Sequence, residues 1–211
     1  MKRCKLTKIG YGAWLAPAIL ASLLFFHPLA NAAAIHDAAR NGDLGRVQTL
    51  VVQGADVNEK VVRDETPLML AALAGQGDIV NYLLQRGADI HARNASGMTS
   101  LHAAAYAGHT EIVSLLIAKG ADLNDAANVY KVSPLHLASE ENHLETVKLL
   151  LEKGADVSLV EMHGFNALSR AGFREQWDVL DLLLANGADC QPTDLVGDWL
   201  SDICNARAKN N

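Results

Sequence analysis

Basic residues are in short supply in this chain. It carries 18 Lys and Arg against 24 Asp and Glu, and Lys2, Arg3, Lys5 and Lys8 crowd into its start. Beyond residue 32, 14 basic residues face 24 acidic ones, a net charge of −10. So acidic a surface repels phosphate backbones, which excludes nucleic acid as the natural partner. Acidity otherwise speaks of solubility. Cysteine is scarce too: Cys4, Cys190 and Cys204 are too few for a tetrahedral zinc site, and no His of suitable spacing stands beside them. Aromatic residues are 5% of the chain, so the places where they fall carry weight. No Gly-x-Ser-x-Gly, His-Glu-x-x-His or P-loop sequence occurs. Glu140 and Glu141 are adjacent carboxylates, but neighbours on a helix do not converge as an acid/base dyad must. These absences argue against an enzyme.

Long apolar runs are also missing, with one exception. Tyr11 to Phe26 is a run of 16 residues containing Pro17. It follows the basic start and precedes Ala30-Asn31-Ala32. A positive start, a short apolar stretch and an A-x-A site describe a secretory signal peptide, residues 1–32, cleaved after Ala32. A retained membrane anchor is the alternative, but the run is shorter than the roughly 18 residues of a spanning helix. No cysteine sits near the site, which argues against a lipoprotein. The expected location is therefore the periplasm, or outside the cell, with no stable membrane insertion after cleavage. Cys190 and Cys204 would then lie where disulfides persist. Either they bond and close a loop of about 15 residues, or they are two buried thiols. Cys190 takes the apolar place of Ile90, Leu123 and Val157.

What the chain has in abundance is repetition. Gly-Ala-Asp occurs at Gly54, Gly87, Gly120, Gly154 and Gly187, in steps of 33, 33, 34 and 33 residues. A fixed period of this size means stacked supersecondary units, not one globular core. A second block keeps the register: Thr66-Pro67-Leu68-Met69, Thr99-Ser100-Leu101-His102, Ser133-Pro134-Leu135-His136 and Asn166-Ala167-Leu168-Ser169, with a worn copy at Ala33-Ala34-Ile35-His36. Each part has a mechanical reason. Thr66 or Thr99 can cap a helix, and Pro67 or Pro134 suits its first turn. Paired alanines let helices approach. Gly75 and Gly108 end the first helix in a left-handed turn. The Val/Ile–Leu–Leu clusters put one apolar stripe on a second helix.

These residues closely resemble the ankyrin repeat, whose pattern runs T-P-L-H-x-A-A…G-H…V…L-L…G-A-D. The resemblance covers residues 33–191. It implies an all-α solenoid of helix-turn-helix repeats with short β-hairpin fingers. The expected divisions are an N-terminal cap repeat (33–58), then 59–91, 92–124, 125–158 and 159–191. Terminal repeats need caps, because each would otherwise expose an apolar face. Residues 192–211 supply a C-terminal capping helix and tail, with Leu195, Trp199, Leu200 and Ile203 at helical spacing. The fifth repeat is the poorest copy, with Asn166 for Thr, Ala167 for Pro and Glu175 for the turn glycine. The extra residue falls in the finger Asn124–Lys131, and Lys131 and Asp64 stand where finger glycines are usual.

The family pattern absorbs most histidines. His36, His102, His136, His109 and His143 fall on its own His positions, where they bond backbone. His91 and His163 are off the pattern. The resemblance also implies where a partner binds: at the finger tips and just before the helix turn. Those positions hold Val62, Arg63 and Leu73; Arg93, Met98 and Tyr106; Val129 and Tyr130; and Met162, His163, Phe165, Phe173 and Arg174. Glu65, Val132, Glu140, Glu141 and Val160 belong to the same set of positions; the alternative, strongest for Phe165 and Val132, is packing between adjacent fingers or helices. Tyr, Phe, Met and Arg are the types enriched at interface anchors. The expected function is non-catalytic binding of a protein partner, with no cofactor. The partner is either a periplasmic enzyme to be restrained or an oxidative-stress enzyme such as a catalase to be supported. The alternative is a haem- or metal-handling accessory factor, resting on Met98, Met162, His91 and His163.

Overall fold

In the computed structural model, which describes residues 27–209, helix pairs stack in single file. The pairs are α1 (His27–Asn41) with α2 (Leu44–Val52), α3 (Pro67–Leu73) with α4 (Gly77–Gln85), and α5 (Ser100–Ala107) with α6 (Thr110–Ala118). They continue as α7 (Pro134–Glu140) with α8 (Leu144–Glu152) and α9 (Ala167–Phe173) with α10 (Trp177–Ala185). Two short elements, α11 (Thr193–Val196) and α12 (Asp198–Ala208), follow the last pair. First helices pack on first helices of the next repeat, and second helices line up behind them. This is the expected all-α solenoid.

The fingers are simpler than expected. No strand occurs among the described residues. Three fingers are tight turns bridged by a main-chain bond, Val61 N–H to Glu65 O (3.1 Å), Asn94 to Met98 (3.0 Å) and Glu161 to Phe165 (2.9 Å), while the fourth turns on Lys131 N–H to Asn128 O (3.1 Å). Five-residue tips are too short for a ladder of paired strands.

Capping follows the sequence. Thr66 Oγ1 accepts the Met69 N–H at 3.3 Å. Thr99 with His102, and Ser133 with His136, form reciprocal capping boxes. The fifth repeat loses nothing by its substitution, since Asn166 Oδ1 accepts the Ser169 N–H at 2.9 Å. Left-handed turns sit where the register places them: Gly108 at φ 74°, with Asn142 (62°) and Glu175 (59°) at the matching position. In the fingers Asp64 (58°) and Lys131 (55°) adopt the region that suits glycine. Arg63 joins them at 70°.

The core repeats as the chain does. Leu68, Leu101, Leu135 and Leu168 from the first helices, and Leu83, Leu116, Leu150 and Leu183 from the second, are each under 2% exposed. Truncating any one to Ala removes about 2–5 kcal/mol. Ala71, Ala104 and Ala138 are fully buried between neighbours, where larger residues would hold helices apart.

The ends depart from expectation. The first helix already includes residues 27–32, ahead of the expected start at Ala33, and the alanines up to Ala34 favour the helix. Residues 1–26, which hold most of the expected signal peptide, lie outside the described residues. At the other end Gly197 (φ 80°) splits the capping segment in two. Leu200 and Cys204 are buried, while Trp199 turns outward at 48% exposure. Cys190 and Cys204 are bonded, with Cα atoms 5.8 Å apart, and tie α12 to the last finger. No described helix is long and apolar enough to cross a membrane.

Candidate protein-binding face

Because the repeats keep register, matching positions form rows along the concave side. One row, just before each helix cap, is Glu65, Met98, Val132 and Phe165. The next is Leu70, Ala103, Leu137 and Arg170, and a third is Leu73, Tyr106, Glu140 and Phe173. The finger tips above them are stitched together by main-chain bonds. Ala95 N–H donates to Arg63 O (2.8 Å), Val129 to Ser96 O (3.0 Å) and Met162 to Tyr130 O (2.9 Å).

The N-terminal half of this face is apolar and hollow. An open cavity of about 330 Å³ is walled by Met69, Leu70, Leu73, Met98, Ala103, Tyr106 and Leu137. Glu65, Asn94, Thr99 and His102 complete its edge.

The C-terminal half is charged and aromatic. Glu140 accepts hydrogen bonds from Arg170 and from Arg174, the latter at 2.8 Å. Glu161 is 3% exposed. Its carboxylate accepts the backbone N–H groups of His163 (3.0 Å) and Phe165 (3.4 Å), pairs with His163 Nδ1 (3.0 Å), and lies 3.8 Å from Arg170. The same finger place holds Asn94 and Asn128, whose Oδ1 atoms accept the corresponding pair of N–H groups. Glu161 fills that role with a charge, which Arg170 offsets. Phe165 meets Phe173 edge-on, with ring centroids 5.1 Å apart and planes at 81°. Trp199 lies 6.5 Å beyond Phe173.

The structure sorts the expected contact residues. Val62, Arg63, Leu73, Tyr106, Val129, Tyr130, Met162, His163, Phe173 and Arg174 are exposed. Leu73, Met98 and Tyr106 come together around the hollow. His163, Phe165, Phe173 and Arg174 come together around the ionic cluster. Val132 and Phe165 take the packing alternative, and Arg93 differs from expectation. Val132 is buried, Phe165 packs half-buried on the core, and Arg93 is a brace rather than a free cation. Its guanidinium binds Asp125 at 2.9 Å and the Gly97 carbonyl at 2.8 Å, holding two fingers together. Burial opposes ionisation of Asp125, but the Arg93 hydrogen bond and the Ala127 N–H outweigh it and hold this carboxyl below its usual range. Trp199 is an addition that the sequence hid. Its spacing with Leu195, Leu200 and Ile203 read as one inward face, whereas Leu200 and Cys204 already define the buried side.

Histidines on the repeat pattern serve the scaffold. His36 Nε2 donates to the carbonyls of Glu59 (2.9 Å) and Glu65 (3.1 Å). His102 does the same to Asp125 (3.0 Å) and Val132 (3.1 Å), while His109 and His143 reach back to Leu73 O and Tyr106 O. His136 is pushed down to about 4, by burial first and then by the Arg170 charge. Met98 lines the hollow while His163 belongs to the ionic cluster, so the proposed haem or metal ligands are not gathered in one place. Among the described residues, no group of three His, Cys, Asp or Glu could hold a metal ion.

The sequence matches the family described as "Ankyrin repeats (3 copies)" over residues 35–127, 89–161 and 124–194. The chain belongs to the ankyrin repeat family. Its repeats form a protein–protein interaction module. Among curated proteins it is similar to "Protein phosphatase 1 regulatory subunit 27" of Homo sapiens, 41% identical over 62 residues. That match covers 29% of this chain and 40% of the human protein. Within this stack, the Arg170–Glu161 pair and the outward Trp199 are the features that do not repeat.

Proposed function

We propose that this ankyrin protein is exported and acts as a non-catalytic modulator, holding one protein partner against its concave face and restraining or protecting it. The exposed apolar row carries this reading. Leu73, Tyr106 and Phe173 remain 40%, 49% and 43% exposed on one face, and Trp199 extends it. Exposed apolar side chains on both sides of the Glu140 ionic cluster are of the kind that mark an interaction site, and aromatic residues are the usual anchors. Similarity to a regulatory subunit supports a role exercised through another protein. Export rests on the basic start, short apolar run and A-x-A site of residues 1–32.

The test is capture of partners from a periplasmic extract with the full chain, tagged at its C terminus. One dominant partner is expected, and the double variant Tyr106→Ala/Phe173→Ala should lose it. Retention of the partner by that variant refutes the concave assignment. N-terminal sequencing of the purified protein should begin at Ala33; an intact leader refutes the export reading.

A further inference from the structure

The hollow at the apolar end of the concave face exists because one side chain is short. Along the row Leu70, Ala103, Leu137 and Arg170, Ala103 stands where the flanking repeats carry leucine. Its methyl group lies in the wall of the cavity between Leu70 and Leu137. Close-packed interiors normally close such gaps. Here α5 cannot shift to do so. The Thr99–His102 capping box fixes its start, and His102 Nε2 is bound to the carbonyls of Asp125 and Val132 in the next finger. The volume of about 330 Å³ is at the small end of the roughly 300–1,000 Å³ typical of ligand sites. Met69 and Met98 in its wall are adaptable, polarisable liners.

The electrostatics of the edge are equally specific. Asn94 Oδ1 is used by the Ser96 and Met98 N–H groups, and Thr99 and His102 are bonded to each other. Further along the face, Glu140 and Glu161 are offset by Arg170 and Arg174. Glu65 lines the cavity and its carboxylate has no hydrogen bond or ion pair among the described residues. It is therefore the unbalanced charge at this site, on a chain whose net charge beyond residue 32 is −10.

We infer that the Ala103 hollow seats one large apolar side chain (Leu, Met or Phe) from an extended segment of the partner, and that an adjacent Lys or Arg of that segment pairs with Glu65. This rests on the concave-face reading and specifies the chemistry of what docks there. Burial of the apolar group supplies affinity. The cation supplies direction, because electrostatic complementarity selects partners and speeds encounter.

The experiment selects random twelve-residue peptides displayed on phage against the full chain. The Kd of the best peptide is then measured by fluorescence polarisation. The enriched peptides should share an apolar residue next to Lys or Arg. Ala103→Leu fills the hollow with the residue that neighbouring repeats already carry, so it should fold normally by circular dichroism and weaken binding at least ten-fold. Glu65→Arg should weaken binding about five-fold, and changing the peptide's basic residue to Glu should restore it. Peptides that depend on Phe173 but ignore Ala103→Leu overturn the hollow while leaving the concave-face reading intact. Peptides indifferent to Phe173→Ala, Ala103→Leu and Glu65→Arg overturn both. No enrichment, or enrichment of acidic peptides, also overturns the inference.

Discussion

Acid should loosen this stack at His136. The residue is 1% exposed, and burial followed by the Arg170 charge pushes its ring from 6.5 down to about 4. In the neutral ring Nδ1 accepts the Ser133 N–H, at 3.2 Å. A second proton must land on that nitrogen, which breaks the capping box of α7. In the unfolded chain the same ring takes its proton near 6.5. The folded value lies below the unfolded one, so the contribution to stability is complete above pH 6.5 and is lost as pH falls towards 4. Linkage then removes about 2 kcal/mol between pH 7 and pH 5, and about 3 by pH 4. His102 is lowered chiefly by burial and adds in the same direction. The assay is the urea midpoint at pH 7, 6 and 5. His136→Gln is the control, because glutamine accepts the same N–H in a capping box and does not titrate. Its stability should fall by about 2 kcal/mol less over that interval. Equal falls in the two proteins would refute the reasoning.

Three further outcomes are expected. Reducing the Cys190–Cys204 bond should cost about 3 kcal/mol by loop entropy and speed amide exchange in α12 while α5 stays protected; unchanged protection of α12 would count against the disulfide as its tether. Glu161→Asn restores the acceptor that the other fingers use and should cost under about 1 kcal/mol, whereas Glu161→Ala strands the His163 and Phe165 N–H groups and should cost about 2 or more; equal melting temperatures for the two would contradict that. Lys131→Gly should stabilise by about 0.5–1 kcal/mol, since φ 55° suits glycine better than lysine; a lower urea midpoint would show that the Lys131 side chain makes a compensating contribution.

The repeats were legible because each states the same physics again. Leu68, Leu101, Leu135 and Leu168 could be assigned to the core from register alone, and so could the scaffold roles of the pattern histidines. Alignment with glycines locates the turns at Lys131 and Glu175, but not that both residues keep the left-handed conformation, at φ 55° and 59°. What escaped was whatever occurs once. The capping segment has no second copy to align with, so Trp199 was placed on the wrong side and the break at Gly197 was missed. Arg93 looked like a free cation because its partner, Asp125, lies 32 residues away in the next finger. The hollow was invisible because Ala103 looks like ordinary repeat alanine; the gap is a property of Leu70, Tyr106 and Leu137 standing around it. The fingers, expected as hairpins, lacked the length to pair.

The stitching of the finger tips has a further consequence. Arg63 to Ala95, Ser96 to Val129 and Tyr130 to Met162 are joined through peptide groups alone, which every residue type shares. The pitch of the docking surface thus depends little on the side chains at the very tips, while Arg93 adds a side-chain brace between two of the fingers. Val62, Arg63 and Tyr130 could be exchanged for almost anything while the spacing between tips held. Proline is the exception at positions 95, 129 and 162, because it would remove the donor. Such a frame can change its clientele by tip substitutions without renegotiating its geometry.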